Sequence, residues 1–503
     1  MVDGREQRGG KGAGGGADRS GPRRRSATAP SERTRRAEPT RFAAYTLLRA
    51  VDEGAYANLE MPNILRRHRL EGRDAAFATE LGFGTIRWQG FYDAVIAEAA
   101  GRPTTRIDPQ VLDVLRLGAH QLLGMRVATH AAADQTVGLS KVVAGAGAGG
   151  FVNAVMRRIS ERTAEEWRDA VAPADGGAAA LSVRHSHPEW VIAALRAALL
   201  GHGRATPATV EAELVALLEA DNEPPRVHLV ARPGLVTVDE LLVGADAEPS
   251  PLSPIGAVLH SGDPGAVAAV RDGRAAVQDD GSQLVALALA RAEVGPDVPA
   301  RWLDLCAGPG GKAGVLGALA VERGADLTAV EVSPHRADLV RSTLGALIRH
   351  ARGLGRAVEV RTADGREVGE DEPAAYARVL VDAPCTGLGA LRRRPEARWR
   401  RQPSDVAGLA PLQRSLLGSA LDATAPDGVV AYVTCSPHIA ETRFVVSDVV
   451  KKRVDVEIVD ARPLFTDAAG QPVGGLGDGP YVQLWPHVHG SDAMFFALLR
   501  KTA

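Results

Sequence analysis

Apolar positions recur at helical spacing over residues 40–158. Phe42, Leu47, Leu48 and Val51 open the pattern, and Phe77 with Leu81, Phe91 with Val95 and Ile96, and Val111, Leu112, Leu115, Leu122 and Leu123 continue it. Positions three or four apart share one helix face, so each set marks an amphipathic helix. Gly72, Gly101-Arg102-Pro103 and the stretch 145–150 break the runs. This predicts an all-helical domain over 38–165. Signals weaken over 166–274. Residues 160–185 read as a linker with one helix. His187-Pro188-Glu189-Trp190 opens a helix to about Leu200, Leu214 to Leu218 suggests another, and 226–231, 236–242 and 257–259 suggest a small α+β subdomain. From about Ala275 the period itself alternates. Strands are expected at 302–305, 327–332, 357–361, 379–382, 429–434 and 494–499, with helices at 283–291, 312–323, 334–349, 411–424 and 442–452. Strand–helix alternation of this kind builds a mostly parallel sheet with helices on both faces. The chain is thus multidomain, an α bundle followed by α/β.

Length agrees, because 503 residues exceed what one hydrophobic core organises. No stretch offers the roughly 18 uncharged apolar residues of a membrane span. Residues 1–37 are Gly- and Arg-rich without the apolar core of a secretory signal, and a disordered basic tail is expected there. It reads either as a loose arm for phosphates or as a solvated leader. The formal net charge of −2 says nothing about nucleic acid. The distribution says more: basic clusters stand at Arg23-Arg24-Arg25, at Arg66-Arg67-His68-Arg69, and at Arg392-Arg393-Arg394 with Arg398, Arg400 and Arg401. The cysteines are Cys306, Cys385 and Cys435, an odd set with no C-x-x-C pair. That argues against a disulfide framework and a zinc site, and for a reducing cytoplasm. No metal site is expected.

Candidate chemistry gathers in the last third. Cys306-Ala307-Gly308-Pro309-Gly310-Gly311-Lys312 follows a strand and opens a helix, where glycines let a ligand approach the backbone. The loop matches neither the dinucleotide nor the P-loop fingerprint, and alone it reads equally as a tight turn. Glu331 ends the next strand, where a carboxylate can accept both ribose hydroxyls, and Asp364 follows the third strand, where it could face an adenine amino group. Together they describe an adenosine-containing ligand, and S-adenosylmethionine suits them better than NAD. Asp382-Ala383-Pro384-Cys385 and Thr434-Cys435-Ser436 place two thiols at the ends of different strands. A thiolate there is a nucleophile, while inert packing is the usual fate of a lone buried thiol. The Arg392–Arg401 stretch contains Trp399 and follows Cys385; an arginine-rich loop with an aromatic suits phosphates and a splayed base, so RNA contact is favoured over a solvated loop.

Two resemblances cover nearly everything from Thr40 to Lys501. Arg41 to Tyr56, Ala57-Asn58, the run Glu80 to Arg87, the run Leu115 to Leu123 and Phe151-Val152-Asn153-Ala154-Val155 resemble the NusB-type RNA-binding domain. Gln278-Asp279, the Leu303–Lys312 loop, Asp382-Ala383-Pro384-Cys385-Thr386-Gly387, Arg394-Pro395-Glu396 with Trp399, Thr434-Cys435-Ser436, and Asp492 with Phe495-Phe496 resemble the RNA cytosine-C5 methyltransferases of the NOL1/NOP2/Sun family. With a NusB-like domain in front, the match is to its bacterial RsmB/Sun (Fmu) branch. The resemblance implies a Rossmann-like, S-adenosylmethionine-dependent methyltransferase domain over 275–503 that acts on a 16S ribosomal RNA cytidine. It implies RNA as partner, with no DNA and no membrane, and a monomer is expected. By resemblance Cys435 adds to cytosine C6, Cys385 assists release, and Asp382 contacts the cofactor side and the base near N3. Cys306, Ala307, Gly308, Pro309, Gly310, Gly311, Lys312, Glu331, Asp364 and Asp382 would hold the cofactor. In the DNA enzymes the Pro-Cys thiol attacks, and by that rule Cys385 and Cys435 would exchange roles. Departures exist: Gly308 and Ala313 stand where the family usually has Ala and Thr, and Pro437 and Glu441-Thr442 where it often has Leu and Glu-Asn. The alternatives are an RNA-binding assembly or antitermination factor with an inactive fold, and the same chemistry on tRNA or 23S RNA.

Overall fold

The computed structural model describes residues 38–502, so the expected basic tail lies outside it. Helices run from Pro39–Asp52 to Ala148–Ile159 as the periodicity predicts. Their apolar stripes close on one core that includes Leu47, Leu81, Phe91, Val95, Leu115, Val152 and Met156. The helix Pro109–Leu123 shows how sequence sets a boundary. Pro109 fills the first turn, and the Asp108 carboxylate accepts the N–H groups of Gln110 and Val111.

The stretch 160–185 is more ordered than expected. It holds two helices, Ala164–Val171 and Ala178–His185, rather than a linker with one. The first starts on a reciprocal cap between Thr163 and Glu166. Trp167, 3 % exposed, then fixes it to the helical core and donates its indole N–H to Ile159 O at 2.9 Å. Helices Glu189–Gly201 and Val210–Asn222 follow, and the small subdomain is a four-stranded antiparallel sheet of β1 (Val227–Ala231), β2 (Ala247–Pro249), β3 (Gly256–Leu259) and β4 (Ala275–Val277), in the order β2-β3-β1-β4.

The large sheet holds β5 (Arg301–Asp304), β6 (Asp326–Glu331), β7 (Val358–Thr362), β8 (Tyr376–Asp382), β9 (Thr424–Thr434), β10 (Val456–Val459) and β12 (Phe495–Lys501) in the order β10-β12-β9-β8-β5-β6-β7, with β11 (Val482–Gln483) paired to β12. Strands β5 to β9 pair in parallel, and β12 runs antiparallel to both β9 and β10. Side chains alternate between two cores. Val429, Ala431 and Val433 of β9 face one, with helices Asp280–Arg291 and Gly311–Glu322. Val430 and Tyr432 face the other, with helix Pro403–Ala423. Successive residues of a strand point to opposite faces, and a strand buried on both reads as a continuous apolar run. The expected helix at 334–349 is two, Pro334–Thr343 and Gly345–Gly353, and the one at 411–424 begins earlier and carries Pro411 inside it. Among the described residues no helix is long and apolar enough to cross a membrane.

After β7 the chain returns to lay β8 beside β5, so the strand order reverses there. Such a switch opens a crevice at the carboxyl ends of the strands, where open α/β sheets bind their ligands.

The arginine-rich segment corrects an expectation. Arg398 does not face RNA; it is fully buried and ties four parts of the chain together. Its guanidinium donates to Arg87 O, Ser186 O, Asn222 Oδ1 and Asp221 O at 2.8–3.2 Å. Trp399 Nε1 donates to Ile86 O at 3.2 Å, and Arg400 donates to Val51 O and Ala55 O. In return Arg87 donates to Arg392 O. This segment is a joint between the helical bundle and the sheet domain. Arg394 alone of these named arginines is exposed, lying 5.7 Å from the centre of the Tyr56 ring.

Candidate active site

The register of β8 on β9 brings the two thiols together. Asp382 pairs with Val433, and Ala383 N–H donates to Val433 O at 2.9 Å. Three residues past the end of β8 and one past the end of β9, Cys385 Sγ stands 3.5 Å from Cys435 Sγ. The loop after Cys385 then folds over Cys435, with Gly389 N–H donating to Cys435 O at 2.9 Å. Only glycine allows this approach, since a Cβ at 389 would stand 2.8 Å from that same oxygen.

Lys312 is carried to the thiols from the first turn of helix Gly311–Glu322. Its ammonium lies 2.9 Å from Asp382 Oδ2 at the end of β8. Burial works against the Lys312 charge, but Asp382 carries its pKa above the ordinary value. The thiols differ. The hydrogen bond from Cys385 lowers the Cys435 pKa, against burial and Asp382, and the charges of Lys312 and Arg394 add to the lowering. Cys385 is pushed well up, by the hydrogen bond to Cys435, by burial, and by the charges of Cys435, Glu441 and Asp382. The surroundings therefore favour ionisation of Cys435 over Cys385. Cys306 is also held protonated, chiefly by burial and then by Asp304.

The glycine loop sits over the ends of β5 and β6. Glu331 is buried, accepts Ser333 N–H at 3.0 Å and lies 3.3 Å from Arg336 Nη2. Arg336 also donates to Gly308 O at 3.0 Å. A Cβ on residue 308 would overlap Glu331 Oε2 and come within 2.7 Å of Arg336, so the departure to Gly308 matches the close packing of this pair. Asp304 is buried beneath the loop, and its pKa is pushed up to about 7 by burial and by Asp382. One of its oxygens is buried without a hydrogen-bond donor. Asp364 follows β7, but both its oxygens are engaged by the Arg366 side chain.

The distant motif residues Asp279, Arg393 and Asp492 also converge. Arg393 donates to Asp279 Oδ2 at 2.6 Å and Asp492 Oδ1 at 3.2 Å, and Asp492 N–H donates to Asp279 Oδ1 at 3.0 Å. Burial and the Asp279 charge raise Asp492 to about 6. Arg336, Asp304 and Glu441 were not singled out for roles by the sequence pattern. For Arg336 and Asp304 a signal existed, their place at a strand end or in the turn after one. Glu441 lies in a short polar stretch without periodicity.

Known proteins resemble the chain along its length. Residues 293–500 match the family described as 16S rRNA methyltransferase RsmB/F, and 38–161 match the NusB family. A Mycobacterium tuberculosis protein named as a methyltransferase is 50% identical over 475 residues, 93% of this chain and 98% of that protein. The ribosomal RNA small subunit methyltransferase B of Pseudomonas putida is 31% identical over 475 residues, 92% of this chain and 98% of that one. The crystal structure of PH0851 shares the fold, with a TM-score of 0.73 at 19% identity over 92% of this chain and 99% of that one. With the helical domain in front and the two-thiol crevice behind, the chain belongs to the RsmB/F family of 16S ribosomal RNA methyltransferases.

Proposed function

We propose that this chain methylates cytosine C5 in 16S ribosomal RNA, with S-adenosylmethionine as methyl donor, through a covalent adduct between Cys435 and C6. The thiol pair 3.5 Å apart beyond the carboxyl ends of β8 and β9 carries this reading. Cytosine C5 is too weak a nucleophile to be methylated directly. Thiolate addition at C6 makes C5 enamine-like, and this needs one ionised thiol with an acid close by. Cys435 supplies the thiolate. Asp382, held by Lys312, would hydrogen-bond the base near N3 and support a proton there as the thiolate adds. Once Cys435 is bonded to C6, Cys385 no longer faces a neighbouring thiolate; it gives its proton to solvent, and its own thiolate then accepts the C5 proton as the C6–S bond breaks and the thiolate returns to Cys435. A base must leave its stack to reach half-buried thiols, so an unpaired cytidine is the expected target.

The glycine loop fits the cofactor. Cys306, Ala307, Gly308, Pro309, Gly310, Gly311 and Lys312 form its floor, Glu331 would take the ribose hydroxyls, and Asp364 would border the adenine. The unpartnered Asp304 oxygen suits an ammonium group such as that of the methionine portion. S-adenosylmethionine would supply an electrophilic methyl group beside the thiols. Gly308→Ala is expected to weaken its binding about tenfold, or ~1.4 kcal/mol, because the new Cβ displaces the Glu331 carboxylate; calorimetric titration checks this. The experiment that tests the function is bisulfite sequencing of ribosomal RNA from a strain lacking this gene. Loss of one protected 16S cytidine is expected, and an unchanged 16S profile would overturn the reading.

A further inference from the structure

Behind the thiol pair lies a carboxylate that the chemistry above does not use. Glu441 is fully buried in the short turn Ile439–Glu441 after the Cys435 loop. One oxygen accepts Thr386 N–H at 2.8 Å and Gln413 Nε2 at 3.3 Å. The other accepts the Ser436 hydroxyl at 2.7 Å and the Thr386 hydroxyl. Thr386 follows Cys385, and Ser436 follows Cys435. Gln413 extends the support by donating to Pro384 O at 2.9 Å, and Tyr432 of β9 donates its hydroxyl to Glu441 O at 2.8 Å. The carboxylate therefore fastens one cysteine loop to the other.

All four donors to the carboxylate are uncharged. Burying a carboxylate is costly, and packing two loops together needs no charge. A neutral glutamine could bridge the same groups, because the Thr386 and Ser436 hydroxyls can turn to accept from an amide. The carboxylate is anchored more heavily in one loop than the other: two of its four bonds come from Thr386, the residue after Cys385, and one from Ser436, the residue after Cys435. We propose that Glu441 is a positioning residue that clamps the two cysteine loops at their working separation and selects Cys435 over Cys385 as the nucleophile. The proposal rests on the role assignment above. Its electrostatic part agrees with the thiols: the Glu441 charge is among the causes that raise Cys385, after its hydrogen bond to Cys435, burial and the Cys435 charge.

The test is site-resolved alkylation of the full chain by iodoacetamide across pH, read by mass spectrometry, beside steady-state methyl transfer. In the wild type Cys435 reacts first. Glu441→Gln keeps the bridge and removes the charge, so Cys385 should ionise at lower pH. The preference for Cys435 should fall about tenfold, the effect of one pKa unit. kcat should fall by a similar factor with KM for S-adenosylmethionine unchanged. Ser436→Ala removes one donor and keeps the charge, and should preserve the wild-type order of reaction. A Glu441→Gln protein with the wild-type alkylation profile, or a Ser436→Ala protein with a reversed order, overturns the proposal. A wild type in which Cys385 reacts first overturns instead the assignment of the two thiols.

Discussion

Cys435→Ala is expected to abolish methyl transfer, with kcat lower by on the order of 10⁴-fold or more, as when other covalent nucleophiles are removed. Without a thiolate at this position C5 gains no electron density, and the alanine enzyme should form no covalent complex with RNA. The neighbouring sulfur does not substitute, although it is only 3.5 Å away: Cys435→Ala removes the hydrogen bond that raises Cys385 most, but burial and the charges of Glu441 and Asp382 still raise it. Cys385→Ala should behave oppositely. Addition at C6 and methyl transfer remain available, but release is impaired, so a protein–RNA complex stable to denaturing electrophoresis accumulates. The pH dependence of its formation carries a sign. Cys385 donates the hydrogen bond that lowers the Cys435 pKa, so its removal shifts the Cys435 titration upward. The rate of adduct formation should then rise through a higher pH in Cys385→Ala than in wild type. If Cys385→Ala forms no adduct while Cys435→Ala traps one, the two roles are exchanged.

The second large effect concerns stability. Arg398→Met removes donors to Arg87 O, Ser186 O, Asn222 and Asp221 O inside a buried junction. It also removes a charge that opposes the effect of burial on Asp221, whose pKa is already raised to about 7. Breaking one partner of a buried charged network costs about 3–5 kcal/mol. The expected result is a calorimetric trace in which the helical bundle melts before the sheet domain, with near-normal helix content at room temperature. Arg398→Lys should not restore the single transition, since one ammonium cannot reach acceptors spread around a planar guanidinium. A wild-type melt for Arg398→Met would remove the joint from this account.

The strands that carry the site are readable because each is a continuous apolar run ending in a polar motif. Val429 to Val433 stops at Thr434-Cys435, and Val379 to Val381 stops at Asp382. The glycine loop is readable as a strand-to-helix turn. The fate of the arginine cluster is not, because Arg398 is fixed by acceptors at 87, 186, 221 and 222, and no local pattern reports such partners. The same holds for Glu441, whose donors come from residues 386, 413 and 436. The helix after Thr163 was legible in principle, since Thr163-x-x-Glu166 is a helix-start signature.

The segment that joins the two domains is also the continuation of a cysteine loop. Arg401 Nε donates to Thr386 O at 3.2 Å, so the strut that grips residues 51–87 is braced against the residue after Cys385. A reach set this way works as a ruler. Under the function proposed above, the helical bundle would stand at a fixed distance from Cys435, and the choice of base would follow distance as much as letters.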